Sequence, residues 1–390
     1  MHFCYILPPI EPYSPRIGGA IATCTLNQAR CVLAQGHRVS VLTPQERELY
    51  SVGEVIPIAG FQREELSLVQ RFFSSKIRRR LYHWHWLYYE YFRAAFTHAI
   101  QKMTTAPDVI VVHNDFITAI DVAERFPRSQ VVLWLHNEIT APQSTVQKAA
   151  QKAHFFCVSS HIARWTTETY ALPPQTATVA LNGVDSQVFH PTANFDVPRS
   201  PDEALRVLYL GRLDPNKGPD LAIEAVRRLQ SEGLRVEITV VGNVWFKNDG
   251  SENTDPYALE LQAALKTVGA RLLGHMERGK VPAVVREHDV LCMPSRFPEP
   301  FGLVLLEGMA SGCAVIATRR GGIPDCAGEN EEAGAILVEP DAGEFAHHLR
   351  DFAQSPDLLM SWKRRAVKRA ALLSWERNAQ ICLELVQGAA

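Results

Sequence analysis

The chain lacks several features that would assign it quickly. Its 390 residues contain no run approaching the roughly 20 apolar residues of a membrane-spanning helix. The opening Met1-His2-Phe3-Cys4-Tyr5-Ile6-Leu7 is too short for a secretory leader, has no basic start and meets Pro8-Pro9. A cytoplasmic protein is therefore expected. The net charge of −2 gives no basic surface for nucleic acid. The eight cysteines include no C-x-x-C pair, so buried free thiols are expected rather than disulfides or a zinc ribbon. No Asp-x-Asp occurs, which removes the usual paired-carboxylate metal clamp. Gly18-Gly19 lacks the third glycine of G-x-G-x-x-G, so the dinucleotide fingerprint fails. No internal repeat or low-complexity tract is visible.

What is present is ordinary in bulk and ordered in detail. Hydrophobic residues make up 46% and charged residues 21%, as in a soluble globular enzyme of two domains. Short apolar runs alternate with helical patterns. Phe3 to Leu7 reads as a strand, Gly18-Gly19 opens a helix that Gly36 closes, and 37–43 is the next strand. Strands follow at 107–112, 131–135 and 155–160. Residues 45–75 show no organisation. Residues 190–204 carry three prolines and little apolar pattern, which places a domain boundary there. The alternation then restarts with strands at 205–210, 236–241, 290–293, 314–318 and 335–338. Asp220 is expected to cap a helix through Leu229, and helices to fill 341–353 and 356–388.

Four places carry chemistry. The first is Arg296 to Gly312, where Glu299 falls in a loop at a strand's carboxyl end and Glu307 about two turns down a buried helix. The amides of Phe301, Gly302 and Leu303 would open that helix without carbonyl partners, forming a donor cluster for a phosphate or for sugar hydroxyls. The second is Gly211 to Gly218, where Arg212 and Lys217 could neutralise a diphosphate. The third is a pair of strands that each deliver a histidine, His113 and His136, at the end where open α/β sheets bind ligands. The fourth is 77–96, basic at one end and aromatic throughout. It reads as a helix that either meets an anionic membrane or a large acceptor, or packs its aromatics inward.

Taken in order, these pieces resemble the GT-B glycosyltransferases of family 4. The resemblance rests on Gly18-Gly19 with Gly36-His37-Arg38-Val39, on Asn182-Gly183-Val184-Asp185 with Phe189 and Pro191, and on Gly211-Arg212-Leu213-Asp214-Pro215-Asn216-Lys217-Gly218. It continues in Glu299-Pro300-Phe301-Gly302 with Glu307 and in Gly321-Gly322-Ile323-Pro324. It implies an α/β fold of two Rossmann-like domains facing an interdomain cleft. These would be an acceptor-binding domain over 1–195 and a donor-binding domain over 196–370, with the helix at about 371–390 packing back onto the first. It further implies that Arg212 and Lys217 hold a diphosphate, that Glu299 holds donor-sugar hydroxyls and that Glu307 binds the ribose. The Phe301, Gly302 and Leu303 amides would meet sugar and phosphate. Gly18 and Gly19 would approach the β-phosphate, His136 would lie beside the donor sugar, and His113 and Gly322 are further candidates. Asp325 stands where the family more often has glutamate.

The implied reaction is retaining transfer from a UDP- or GDP-sugar to a sugar, lipid-linked or small-molecule hydroxyl, with no metal and no cofactor. Fixed cations and helix amides suit the charge that grows on a departing diphosphate. No carboxylate stands out as a nucleophile for double displacement, which favours front-face attack. A peripheral membrane contact through 77–96 would accompany a lipid-linked acceptor. The rival readings are a sugar-nucleotide epimerase of similar fold, a sugar phosphorylase and a non-catalytic sugar-nucleotide binder. The intact set of Arg212, Lys217, Glu299 and Glu307 weighs against the last.

Overall fold

The computed structural model describes residues 1–16, 19–59, 82–200, 202–242 and 256–388. Gly18, the basic end of the 77–96 stretch and the side chains through 88 lie outside the described residues. The chain divides into two compact units. Unit 1 is Met1–Val158, Ile162–Ala180 and Asn378–Ala390; unit 2 is Ser159–His161 and Leu181–Arg377.

Unit 1 is a parallel sheet of seven strands: β1 (His2–Ile6), β2 (Arg38–Pro44), β3 (Glu54–Ile58), β4 (Val109–His113), β5 (Gln130–Leu135), β6 (His154–Cys157) and β7 (Ala177–Val179). Their order is β3-β2-β1-β4-β5-β6-β7. Strands β1 and β4 are buried along their whole length and β5 from Val131 onward, which is why they read as continuous apolar runs rather than alternating ones. Edge strand β3 went unforeseen because Glu54–Ile58 is only half buried and carries Pro57.

Among the described residues, this part of the chain forms α1 (Ala20–Ala34), α2 (Tyr82–Gln101), α3 (Phe116–Arg125), α4 (Gln143–Ala150) and α5 (Ser160–Thr169). Gly36 follows α1 with φ +82°, the left-handed turn that its sequence position suggested. In the described part of α2, Phe92, Phe96 and Ile100 are buried, and the exposed Tyr91 donates its hydroxyl to the Ala59 carbonyl at 2.7 Å. That part packs its aromatics into the unit.

Unit 2 repeats the plan with β8 (Leu205–Leu210), β9 (Val236–Val241), β10 (Arg271–Gly274), β11 (Val290–Met293), β12 (Ala314–Thr318) and β13 (Ile336–Val338). The order is β10-β9-β8-β11-β12-β13, again parallel throughout. Its described helices are α6 (Pro219–Ser231), α7 (Pro256–Thr267), α8 (Val281–Arg286), α9 (Leu303–Ala310), α10 (Ile323–Ala327), α11 (Ala342–Gln354) and α12 (Pro356–Ala370); the last helix, α13 (Trp375–Gly388), belongs to unit 1 from Asn378 on. Val207, Val226, Ile238, Ile316, Phe345 and Phe352 form the core between sheet and helices.

Three expectations change in detail. The division falls at Ala180 and Leu181, so the 190–204 stretch belongs wholly to unit 2. Within unit 2, the backbone is already tied down ahead of those prolines: Val184 donates to the Leu373 carbonyl at 3.1 Å and bridges Ser374. The same pairing breaks the helix expected over 356–388 into α12 and α13. Asp220 does not cap α6; Gly218 is the N-cap, with Pro219 opening the helix.

The last segment is stitched into unit 1 by buried amides. Gln28 donates to Asn378 Oδ1 at 2.7 Å, Asn378 donates to the Ala180 carbonyl at 3.2 Å, and Tyr5 donates to Gln28 Oε1 at 2.9 Å.

In each sheet the strand order reverses direction once, between β1 and β4 in unit 1 and between β8 and β11 in unit 2. Loops on either side of such a point splay apart and leave a crevice at the carboxyl ends of the strands, where open α/β sheets bind ligands.

Candidate functional site

The unit 2 switch point brings together the loop after β8 and the loop after β11. Asp214 shapes the first loop: its Oδ1 accepts from the amides of Asn216 at 3.0 Å and Lys217 at 3.3 Å, an Asx turn. Gly218 ends the loop with φ +65°, and a Cβ there would stand 2.2 Å from the Pro294 carbonyl oxygen. The two loops therefore touch backbone to backbone only because residue 218 is glycine. Arg296 fastens them from the other side. Its amide donates to the Asn216 carbonyl at 2.7 Å, and its guanidinium donates to the Pro215 carbonyl and clasps both oxygens of Asp220. Tyr257 adds a hydroxyl to Asp220 at 2.9 Å.

This frame sets Lys217 against Glu299. Lys217 Nζ donates to Glu299 Oε1 at 2.7 Å and lies 4.5 Å from the centroid of the Phe297 ring. Ser295 Oγ also donates to Oε1. Oε2 has no partner among the described residues, so the carboxylate keeps acceptor capacity although Glu299 is 4% exposed. Gly321 and Gly322 let a third loop lie against this residue. The Gly322 amide donates to the Glu299 carbonyl at 2.6 Å, and at Gly321 (φ +58°) a Cβ would stand 2.2 Å from the same oxygen. Arg212 is half exposed on the same loop as Lys217, its Nε 3.5 Å from Asp214 Oδ2.

Helix α9 begins at Leu303, two residues later than Phe301, where its sequence suggested. Gly302 is the N-cap with φ +100°, Leu303 is the first helical residue, and Phe301 and Gly302 stand before the helix. The first intrahelical bond runs from Leu306 to Gly302, which leaves the Leu303 amide among the donors that α9 itself does not use. Glu307 lies only about one turn on, not the two that the sequence suggested, because the helix starts at Leu303; it is 3% exposed, with both oxygens held by Arg278. Arg278 stacks its guanidinium 5.3 Å from the Phe189 ring centroid. Asp325, an aspartate where the resemblance leads one to expect a glutamate, accepts from the Ser160 amide and hydroxyl, each at 2.7 Å, in a clasp within unit 2.

Unit 1 holds the two histidines together. Thr25 Oγ donates to the Ile21 carbonyl at 2.9 Å, so its other contact, 3.1 Å to His113 Nε2, is an acceptance. His113 is then protonated on Nε2, and its Nδ1 accepts from His136 Nε2 at 2.9 Å. The chain of donors leaves His136 with an acceptor lone pair on Nδ1. Burial holds the His113 pKa down to about 3 and that of His136 well below its ordinary value, so both rings are neutral near pH 7. Gly19 precedes α1, and Glu11 reaches back to it: Glu11 Oε1 accepts from the Ala22 amide at 2.9 Å and would stand 1.9 Å from a Cβ on residue 19.

Sequence reasoning placed Lys217, Glu299 and Gly322 in what proves to be one cluster. It missed the partners around them, Ser295 on Glu299 and Arg296 on the Gly211–Gly218 loop, and likewise Arg278, which holds Glu307, and, in unit 1, Glu11 beside Gly19. Arg296 opens the motif and Ser295 stands just before it, but neither belongs to a spacing pattern that marks it. Arg278 and Glu11 come from segments with no motif at all.

All eight cysteines are free, seven of them buried. Among the described residues one group could hold a metal ion, His347, His348 and Asp351 on α11, and it shares no residue with the loops above. No described helix is long and apolar enough to cross a membrane.

Two family models match the chain, Glycosyltransferase Family 4 over residues 17–188 and Glycosyl transferases group 1 over residues 192–369. Among named relatives, the phosphatidyl-myo-inositol mannosyltransferase of Mycolicibacterium smegmatis is 27% identical over 97% of this chain and 93% of its own. The D-inositol 3-phosphate glycosyltransferase of Streptomyces coelicolor is 30% identical over 54% of this chain, which spans about half (50%) of that relative's length. Among solved structures, Anabaena HepE in complex with UDP and glucose superimposes with a TM-score of 0.71 at 17% identity, covering 100% of both chains. Sucrose-phosphate synthase from Thermosynechococcus elongatus gives 0.72 at 17% identity, over 100% of this chain and 98% of its own. With two consecutive family matches laid over two parallel Rossmann-like units, this chain belongs to the GT-B glycosyltransferases of family 4.

Proposed function

We propose that the protein is a retaining glycosyltransferase that moves a sugar from a nucleoside diphosphate sugar, UDP- or GDP-linked, to an acceptor hydroxyl without a metal. The observation that carries this reading is the contact of Lys217 with Glu299 at the unit 2 switch point, beside the opening turn of α9. A lysine has three N–H donors, and one is spent on Glu299; the others, with Arg212, serve the diphosphate. Glu299 Oε2 accepts from hydroxyls of the donor sugar. The Phe301, Gly302 and Leu303 amides meet sugar and phosphate. Glu307 takes the ribose diol, because each oxygen bound by Arg278 keeps a second lone pair. In unit 1, Gly19 serves the β-phosphate and His136 Nδ1 accepts from a sugar hydroxyl as a neutral imidazole.

In the reaction the bond between the anomeric carbon and the β-phosphate oxygen breaks. The bond to the acceptor oxygen forms on the same face, and the acceptor's proton passes to the departing phosphate. Fixed donors aimed at that phosphate stabilise the charge as it grows. Support for a nucleotide-linked donor comes from the relatives: HepE was solved with UDP-glucose and starch synthase IV with ADP. The mannosyltransferase relative is named for a lipid, which keeps a lipid-linked acceptor and a peripheral membrane contact through 77–96 within the proposal. Liposome binding that ignores salt and anionic lipid would count against that contact.

The test is a thermal-shift screen with UDP-, GDP- and ADP-sugars, with NAD as control, with and without EDTA. Stabilisation by one sugar nucleotide that survives EDTA is expected. Stabilisation by NAD alone, or a shift abolished by EDTA, overturns the reading.

A further inference from the structure

Unit 1 has its own cavity at its own switch point, between the carboxyl ends of β1 and β4. Its volume is about 340 Å³, near the lower end of the roughly 300–1,000 Å³ usual for small-molecule sites. Ile6, Val112 and Phe96 give it apolar walls, and Glu11, Asn114 and Asn137 are among its polar groups. That is room for one ring with hydroxyls, not for a chain of sugars.

The charges around it are uneven. Arg93 lines the cavity, but its guanidinium is bound to Glu90 Oε1 at 2.5 Å and to Thr118 Oγ1 at 3.3 Å. Asp115 lines it as well, with Oδ1 accepting two α3 amides at 3.0 Å and Oδ2 the Thr118 hydroxyl at 2.6 Å. His113, also in the lining, is neutral. Glu11 remains: its carboxylate accepts from the α1 amides of Ala22, at 2.9 Å to Oε1, and Ile21, and no ion pair holds it among the described residues, which leaves lone pairs for a hydroxyl. Burial raises its pKa by disfavouring the charged form, a mark of a group with a task. Asn114 sits in the left-handed region at φ +56°, with Oδ1 accepting the His136 amide at 2.7 Å, which turns its amide nitrogen into the donor of the pair.

Given the glycosyltransferase reading on which this rests, we propose that the unit 1 cavity holds the acceptor as a single uncharged polyol ring, a monosaccharide or cyclitol, with Glu11 accepting one of its hydroxyls, and that it refuses the phosphate monoester of that ring. A phosphate monoester carries −1.5 to −2 charge near pH 7. It would meet Glu11 and Asp115 and only one described cation, already paired with Glu90. The opposite class is the one in the name of the Streptomyces coelicolor relative, D-inositol 3-phosphate.

Isoleucines report on the cavity directly, since Ile6, Ile10, Ile21 and Ile139 line it. The full chain, labelled with ¹³C in isoleucine methyl groups, is titrated with glucose and myo-inositol, and at matched ionic strength with glucose 6-phosphate and inositol monophosphate. The same samples are titrated with UDP and GDP. The uncharged rings should move the lining methyls with saturation, the phosphate esters at least tenfold more weakly. Glu11→Ala should weaken the uncharged rings about tenfold and narrow the gap to the esters. Glu11→Gln, which keeps the shape, should do the same in smaller measure.

Binding of an ester as tightly as its parent ring, or no response to either uncharged ring, overturns the proposal. If nucleotide still binds in that case, only the acceptor class falls. Binding of the rings without any nucleotide binding brings down the transferase reading and leaves the ligand class standing.

Discussion

Lowering the pH should destabilise this protein through one buried imidazole, and the size of the effect can be worked out. His113 is 1% exposed and hydrogen-bonded on both ring nitrogens, and burial holds its pKa to about 3. In the unfolded chain it titrates near 6.5. Between those values the unfolded state binds a proton that the folded state does not, so stability falls as pH falls, starting near 6.5 and levelling off near 3. Each unit costs about 1.4 kcal/mol, so a drop to pH 4.5 removes on the order of 3 kcal/mol through His113 alone. His136 acts in the same direction, because its pKa is also lowered by burial and by His113 beside it. Against a typical total of about 5–15 kcal/mol this is a large fraction. The measurement is urea unfolding at pH 7, 6, 5 and 4.5 for the wild type and His113→Gln. Carboxylates titrate in both proteins, so the comparison isolates the imidazole. The variant should lose a substantial part of the slope below pH 6.5. If the two slopes coincide, His113 is not held neutral by the fold and the reasoning fails.

Three further outcomes are expected. Lys217→Ala should lower kcat with the true donor by about 10²–10³-fold while the fold survives, by analogy with removing one preorganised donor from a developing anion; a rate within threefold of wild type refutes the site assignment. Gly218→Ala should cost at least about 1–2 kcal/mol from the left-handed backbone, more from the Pro294 carbonyl, and should weaken donor use by displacing Lys217; thermal melts together with donor kinetics check both halves. Glu11→Gln should raise Tm at pH 7, because burial disfavours the charged form of Glu11. Its raised folded pKa means that the gain should shrink toward pH 4, and a gain independent of pH counts against the assignment.

Much of the fold was legible because parallel strands buried on both faces write themselves as unbroken apolar runs. Val131 to Leu135 and Val290 to Met293 are such runs, and each proved to be a strand. Glu54–Ile58 was hidden because an edge strand needs no such run. Of the site, Lys217 and Glu299 could be read because they sit in glycine-marked loops after strands, where the topology itself makes a crevice. Arg278 and Glu11 could not, since nothing within some distance of them in sequence marks them. Their meaning comes from Glu307 and Gly19, which only the folded chain brings beside them. Asp220 was misread for a related reason. An acid near a helix start suggests a cap, but here Arg296, from a distant loop, claims both of its oxygens.

The buried Gln28–Asn378 contact joins residues 350 positions apart. A ribosome adding about 5–20 residues each second needs roughly 20–70 s to travel from one to the other. For that interval the first unit, although most of its sheet has already been made, holds Gln28 without its partner and leaves Tyr5 beneath an unfinished surface. The segment translated first is thus among the last to be completed. Chaperone demand during synthesis should concentrate on the amino-terminal half, and a stop codon placed shortly before Asn378 should damage the beginning of the chain more than the end.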